Sequence, residues 1–289
     1  MKHVTNMLYI LYAALSLTIS EEIKEIYSSV QKTYKECQRS RNMHDKNIVI
    51  TISDSKWGVV IPDWVNNMKK LGYSNRFVIS LDDKVEVTKD ACEISCYTGQ
   101  TNNNLGYNPM YVGYCKFLAG LFAANGAVTI ISEIDVIWYK QLSREKKKIN
   151  SALLIQEETN CFKGSNIANI GNMIVKNASF IHSCYKSMVD QFEKKIISTD
   201  GKIGTERAAD QTFFNDFFHY NNECNSEKLP IICDTKESPE DYKKHEKYWS
   251  VVEFSEAVHY HHCKNKTRNM NHYSDKIICL RDWYKELLY

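Results

Sequence analysis

Two carboxylates, Glu133 and Asp135, stand two positions apart, directly after the apolar run Ala127 to Ser132 and directly before Val136, Ile137 and Trp138. Hydrophobic residues on both sides argue against a freely solvated acid pair. Carboxylate oxygens are hard ligands that suit Mg²⁺ or Mn²⁺, and such an ion in turn neutralises a diphosphate. An isolated Glu-x-Asp triplet is ordinarily a pair of surface acids. What sets this one apart is its place at the end of a β-branched strand that follows a helix stopped by Asn125-Gly126.

Other groups have two readings each. Asp210 and Gln211 open a helix after Gly204 to Arg207, where an acid is usually a cap, but Gln211 adds hydrogen-bonding capacity that a cap does not need. His259 ends a short apolar strand and is either a satisfied core imidazole or a ligand. With His261, His262 and Cys263 it forms a cluster too compact for a structural zinc, which takes four well-separated ligands. Lys264 and Lys266 are either solvated or set against a phosphate, for which an ammonium is a compact positive charge. Lys116 lies on the helix before the acidic strand and is expected to be partly exposed there.

The elements that must position these groups alternate. Ile23, Ile26, Tyr27, Val30, Tyr34 and Cys37 give an amphipathic helix, and Arg39 to Lys46 a polar linker. Asn47 to Ser53 reads as a buried strand, Pro62 to Leu71 as a helix closed by Gly72, and Arg76 to Leu81 as a second strand ending at Asp82. The Cys92 to Tyr107 stretch, rich in Asn and Gly, reads as a loop. Pro109 to Ala124 is a helix and Ala127 to Ser132 a third strand. Ser151 to Gln156, Gly171 to Val175 and Leu229 to Cys233 are further strand candidates, with helices near Ser179 to Ile196 and Ala208 to Tyr220. This order predicts an α/β fold, a central mainly parallel sheet flanked by helices, which binds ligands beyond the carboxyl ends of its strands.

At this point the sequence resembles the nucleotide-diphospho-sugar transferase family, with its glycosyltransferase A fold and DxD metal motif. The resemblance is carried by Tyr114-Cys115-Lys116-Phe117-Leu118, then by Val128 to Ser132 running into Glu133-Ile134-Asp135-Val136-Ile137-Trp138. It continues through Asn169-Ile170-Gly171-Asn172, Asp210-Gln211 with Phe213, Phe214 and Asn215, and Val258-His259-Tyr260-His261-His262, all within residues 47 to 280. Glu133 stands where the family has its first Asp, and the Arg-Asp-Pro that usually follows the Trp is absent. The resemblance implies Mn²⁺ or Mg²⁺ held by Glu133, Asp135 and His259. It implies a nucleoside-diphosphate sugar, usually a UDP-sugar, contacted by Thr51, Ser53, Asp82, Lys116 and Lys264. Asp210 and Gln211 would face the sugar and a glycan or glycoprotein acceptor. Retention of anomeric configuration is implied, for a hexosyl or pentosyl group. Glu133 in place of Asp leaves an alternative, a secreted transferase-fold protein that binds glycans or a partner surface without turnover.

The whole chain of 289 residues is 43% hydrophobic and 25% charged, which suits one large folded domain. A formal charge of +2 gives no electrostatic reason to expect nucleic acid as a partner. Lys2 and His3, the apolar run Met7 to Ile19, and Thr18 and Ser20 read as a signal peptide at 1–20, or a short anchor, or a buried helix. Residues 21–46 are then an N-terminal helix and linker, and 47–289 the transferase domain, with no stable membrane span in the mature chain. Ten cysteines suit an oxidising compartment, so a secretory-pathway location, Golgi or ER lumen or secreted, is expected. Cys92 with Cys96, Cys224 with Cys233 and Cys263 with Cys279 are near enough in sequence to be local pairs, although spacing leaves the connectivity open.

Overall fold

The computed structural model of the chain describes residues 2–40, 47–97, 109–123, 128–143, 153–157, 168–175, 185–198, 210–211, 213–214, 249–252, 257–259 and 273–288. Its strands are β1 (Asn47–Ser53), β2 (Asn75–Ser80), β3 (Cys92–Ser95), β4 (Val128–Ser132), β5 (Val136–Trp138), β6 (Leu153–Glu157), β7 (Ala168–Val175), β8 (Trp249–Val252) and β9 (Ala257–His259). The helices are α1 (Lys2–Ser40), α2 (Ile61–Lys70), α3 (Pro109–Ala123), α4 (Lys186–Ser198) and α5 (Tyr273–Leu288). The expected strand Leu229 to Cys233 lies outside the described residues.

Seven strands form one sheet in the order β3-β2-β1-β4-β7-β6-β8. The pairs β3–β2, β2–β1, β1–β4 and β6–β8 are parallel, and β7 alone runs against its neighbours β4 and β6. The sheet is therefore mainly parallel, with helices on both faces, as the alternating pattern requires. Ile48, Ile50 and Ile52 of β1 share a core with α1, α3 and α4, whereas Val49 joins the core of α2 and α5. Period-2 alternation sends neighbouring residues to opposite faces, so a strand with apolar residues at every position must be covered on both sides. Helix α2 ends where Gly72 takes φ +80°, a left-handed closure that favours glycine.

One predicted loop and one cysteine pairing differ from expectation. Cys92–Ser95 is a short edge strand rather than loop, because its backbone finds a parallel partner in β2. Among the described residues the disulfides are Cys37–Cys92 and Cys96–Cys115, so Cys92 and Cys96 do not pair with each other, while the expected pairs Cys224 with Cys233 and Cys263 with Cys279 fall on side chains outside the described residues. Strand geometry explains this, since both belong to one extended segment and their partners come from helices packed over it. Helix α1 is continuous through Ser20, buries Ile23, Ile26, Val30, Tyr34 and Cys37, and is cross-linked to the sheet edge by Cys37. Among the described residues no helix is long and apolar enough to cross a membrane.

Cys37–Cys92 closes a loop of 55 residues in sequence. Replacing both cysteines by serine is expected to lower unfolding free energy by about 2–4 kcal/mol, the usual effect of removing such a constraint from the unfolded chain. Urea unfolding of the double variant beside the parent measures it.

Candidate active site

Beyond Ser132 the chain leaves the sheet in a tight turn and returns as β5, which pairs antiparallel with β9. Backbone bonds hold the turn: the Glu133 amide donates to the Gly171 carbonyl at 2.8 Å and the Val136 amide to the Glu133 carbonyl at 3.0 Å. Below it, the Trp138 indole donates to Ser132 Oγ at 2.9 Å and the Asn67 side chain donates to the Trp138 carbonyl at 3.1 Å. Both bonds lie in the α2–α5 core, where an unmade one would cost the full desolvation of the group. Asp135, at the tip of the turn, is about nine-tenths buried.

Lys116 comes to this turn from α3. It is not a surface lysine: its relative exposure is 0%, and Nζ lies 2.5 Å from Glu133 Oε1 and 2.9 Å from Asp210 Oδ2. The expectation of partial exposure fails because α3 is apolar nearly all round and both of its sides are covered. Burial by itself pushes the ammonium pKa down. The Asp210 and Glu133 carboxylates outweigh that, and the net shift is upward. A raised lysine pKa means that the trio's contribution to stability is complete below the ordinary lysine value and is lost only as pH climbs through the folded one. The trio therefore persists unchanged through neutral pH.

Asp210 and Gln211 have helical backbone, as expected of the 208–220 segment. Asp210 Oδ1 accepts the Gln211 amide at 2.9 Å while Oδ2 holds Lys116, so both carboxylate oxygens are engaged. The Ile170 amide of β7 donates to Gln211 Oε1 at 3.4 Å. Phe214 stacks on Phe117 with ring centroids 6.0 Å apart, and Phe213 meets Phe192 of α4 at 4.6 Å. These rings seat the short helical turn against α3.

His259 ends β9 directly opposite Val136, one residue past Asp135. Among the described residues no three His, Cys, Asp or Glu side chains form a ready-made cation cluster. The side chain of His259, together with His261, His262 and Lys264, lies outside the described residues. Glu133, Asp135, Lys116, Asp210 and Gln211 are thus gathered at the end of β4, with His259 adjacent in register.

Thr51, Ser53 and Asp82 lie further along the sheet, at the carboxyl ends of β1 and β2. Asp82 braces the two loops there, accepting the Ser55 amide at 2.8 Å and the Lys84 amide at 2.9 Å. Ser53 pairs in register with Ser80, and the Thr51 and Ser80 hydroxyls are buried with no hydrogen-bond partner among the described residues. Asp54, which sequence reasoning passed over, is buried beside them and accepts the Trp57 amide at 3.1 Å. Its carboxyl pKa is raised, chiefly by burial, with the Trp57 amide opposing and Asp82 adding to the shift. Its place directly after Ser53 was the available signal.

No protein-family model matches the sequence and no curated protein matches it. Solved structures do. The glycosyltransferase GlyE of Streptococcus pneumoniae TIGR4 is similar over 84% of this chain and 65% of its own, at 11% identity and a TM-score of 0.45. The galactosyltransferase LgtC, in complex with donor and acceptor sugar analogs, is similar over 84% of this chain and 95% of its own, at 9% identity and 0.46. The PaToxG glycosyltransferase matches 68% of this chain and 79% of its own at 14% identity and 0.35.

Lys116→Met, which keeps the bulk and removes the charge, is expected to destabilise the protein by about 3–5 kcal/mol, because two carboxylates then face each other without their cation. Urea unfolding at neutral pH measures it, and a loss below 1 kcal/mol would place Lys116 in solvent. For Asp54 the substitution is expected to stabilise. A raised carboxyl pKa gives stability that is present below the unfolded value and lost as pH rises through the folded one. Asp54→Asn should therefore raise the melting temperature at pH 7, with the gain shrinking as pH falls below the ordinary aspartate range. Melting curves from pH 3 to 8 show whether it does.

Proposed function

We propose that this chain is a metal-dependent glycosyltransferase that moves a sugar from a nucleoside diphosphate, of which UDP is the first choice, to a hydroxyl of a glycan or glycoprotein. The observation that carries the reading is the trio in which a fully buried Lys116 meets the partly exposed Glu133 and Asp210, beside Asp135 at the carboxyl end of a central strand. One lysine and two acids leave the trio with a formal charge of −1, and Asp135 makes the end of β4 more negative still. Oxygen donors with an imidazole in register fit a hard divalent ion such as Mn²⁺ or Mg²⁺. Asp135 and His259 would hold it, with Glu133 beside them. When bound, the ion would neutralise charge gathering on the departing diphosphate.

The chain's own residues do the rest. Lys116 fixes Asp210 and Glu133 at one spacing, which keeps Asp210 and Gln211 aimed at the place where sugar and acceptor meet. Pre-set groups of this kind need no reorganisation when charge develops. Thr51, Ser53 and Asp82, with Ser80 and Asp54, form the nucleoside end, and the buried hydroxyls of Thr51 and Ser80 are the hydrogen-bonding capacity that a base or ribose would use. Lys264 would approach the diphosphate from the segment after β9. The disulfides support placing the protein in the secretory pathway.

Calorimetric titration with UDP-sugars, with and without Mn²⁺, tests the reading. Asp135→Ala should remove the metal-dependent part of donor affinity and lower turnover by orders of magnitude while the protein stays folded. His259→Ala should act in the same direction and less severely. Equal donor affinity in the parent and in Asp135→Ala would overturn the assignment of the ion.

A further inference from the structure

The turn that presents Asp135 is braced from behind by the last helix. Tyr284 of α5 has no exposed surface, and its hydroxyl lies 3.4 Å from the Ile134 carbonyl and 3.4 Å from the Val136 carbonyl. The first carbonyl belongs to the peptide plane that enters Asp135, and the second to the plane after Val136. One phenolic hydrogen therefore reaches acceptors on both sides of the acid. Both distances exceed the roughly 2.5–3.0 Å of an ordinary O–H···O bond, so the hydroxyl makes two long contacts, a three-centre arrangement. In a core formed with Ile134, Val136, Trp138 and Leu280, water does not compete for those carbonyls, and even a long bond orients them.

We infer that Tyr284 is a positioning residue for the metal-holding turn, setting the direction of the Asp135 carboxylate through the Ile134 and Val136 backbone. The inference rests on the proposed role of Asp135 and adds to it a residue 149 positions away that touches neither ion nor donor. Other bonds at the turn hold its amides: Glu133 N–H on Gly171 and Val136 N–H on Glu133. Tyr284 supplies the corresponding hold on carbonyls. Its own chemistry suits the task, because a phenol has an ordinary pKa of about 10 and so, with no exposed surface, carries its proton at neutral pH. The hydroxyl keeps its proton and remains a donor at any pH the protein meets. Partners that orient a metal ligand typically change metal affinity by about 10–100-fold when removed, with less effect on the fold.

The test is Mn²⁺ binding to the full chain without donor, read as free Mn²⁺ by electron paramagnetic resonance, on the parent, Asp135→Ala, Tyr284→Phe and Leu280→Ala. Leu280→Ala is the packing control, since it opens a void on the same helix without deleting a donor. Expected are loss of binding in Asp135→Ala, a roughly tenfold weaker Kd in Tyr284→Phe, and a Kd within about twofold of the parent in Leu280→Ala despite a larger fall in melting temperature. In turnover assays Tyr284→Phe should raise the Mn²⁺ concentration needed for half-maximal rate while leaving the donor KM at saturating Mn²⁺ near the parent value. Loss of binding in Asp135→Ala with Tyr284→Phe unchanged would overturn the role of Tyr284 alone, and so would equal weakening in Leu280→Ala. A parent that binds no Mn²⁺, or an Asp135→Ala variant that binds it as the parent does, would overturn the metal assignment and this inference with it.

Discussion

A lysine ammonium with no exposed surface is the constraint on which the site depends. Moving such a charge out of water costs several kcal/mol even after relaxation, and only close opposite charges recover it. Lys116 has two, and they come from chain segments 77 residues apart, at Glu133 and Asp210. The ion pairs therefore fix three segments at one point: the middle of α3, the end of β4 and the helical turn at 210. Gly113 shows how close the approach is, because a Cβ there would overlap the Cβ of Asp210. Phe117, the residue after the lysine, takes part from the apolar side by packing on Phe192 and Phe214.

The sheet delivers these segments to one end. Parallel strands β1, β2 and β4 all finish on the same side, so their last residues, Ser53, Ser80 and Ser132, stand along one edge. Strand β7 runs the opposite way and brings its beginning there instead. Its pairing with β6 is irregular, with Ile155 opposite Met173 but Gln156 opposite Asn169, and the extra residues put Ile170 and Gly171 at the site. The Gly171 carbonyl then takes the Glu133 amide and the Ile170 amide reaches Gln211. A bulge that would be a local irregularity elsewhere here joins β4 to the 210 turn, as bulges beside functional sites commonly do.

Much of this was legible in the sequence, for reasons that differ from residue to residue. Strand β1 and helix α2 were readable because β-branched runs and a Pro-to-Gly helix are local signals. The apolar strand ending in Glu133-Ile134-Asp135 was readable for the same reason. The burial of Lys116 was not, since its partners are known only once β4 and the 210 turn are folded against α3. The disulfide pattern was illegible because sequence spacing has no knowledge of which helix lies over β3. Helix α5 carried a readable signal in Ile277, Leu280 and Tyr284, spaced at helical period, but what Tyr284 touches depends on a turn about 150 residues away. Single residues gave element types, and long-range packing gave roles.

The Glu at position 133 follows from the same packing. It must leave β4 through a turn whose amide is tied to Gly171, and still reach a lysine on the helix above the opposite core. Glutamate carries its carboxylate one methylene farther from the backbone than aspartate does, and here that length is spent on contact with Nζ at 2.5 Å. Asp135, at the tip of the turn and across from β9, has the shorter side chain and a backbone held on both sides. A short carboxylate on a fixed backbone has few rotamers to lose on meeting a cation, whereas a longer one already engaged by a lysine contributes charge without needing to move. The two acids thus divide the work. Glu133 keeps Lys116 and Asp210 in place, and Asp135 stands on a fixed backbone one residue before Val136, which pairs with His259, so the longer acid at position 133 follows from the packing.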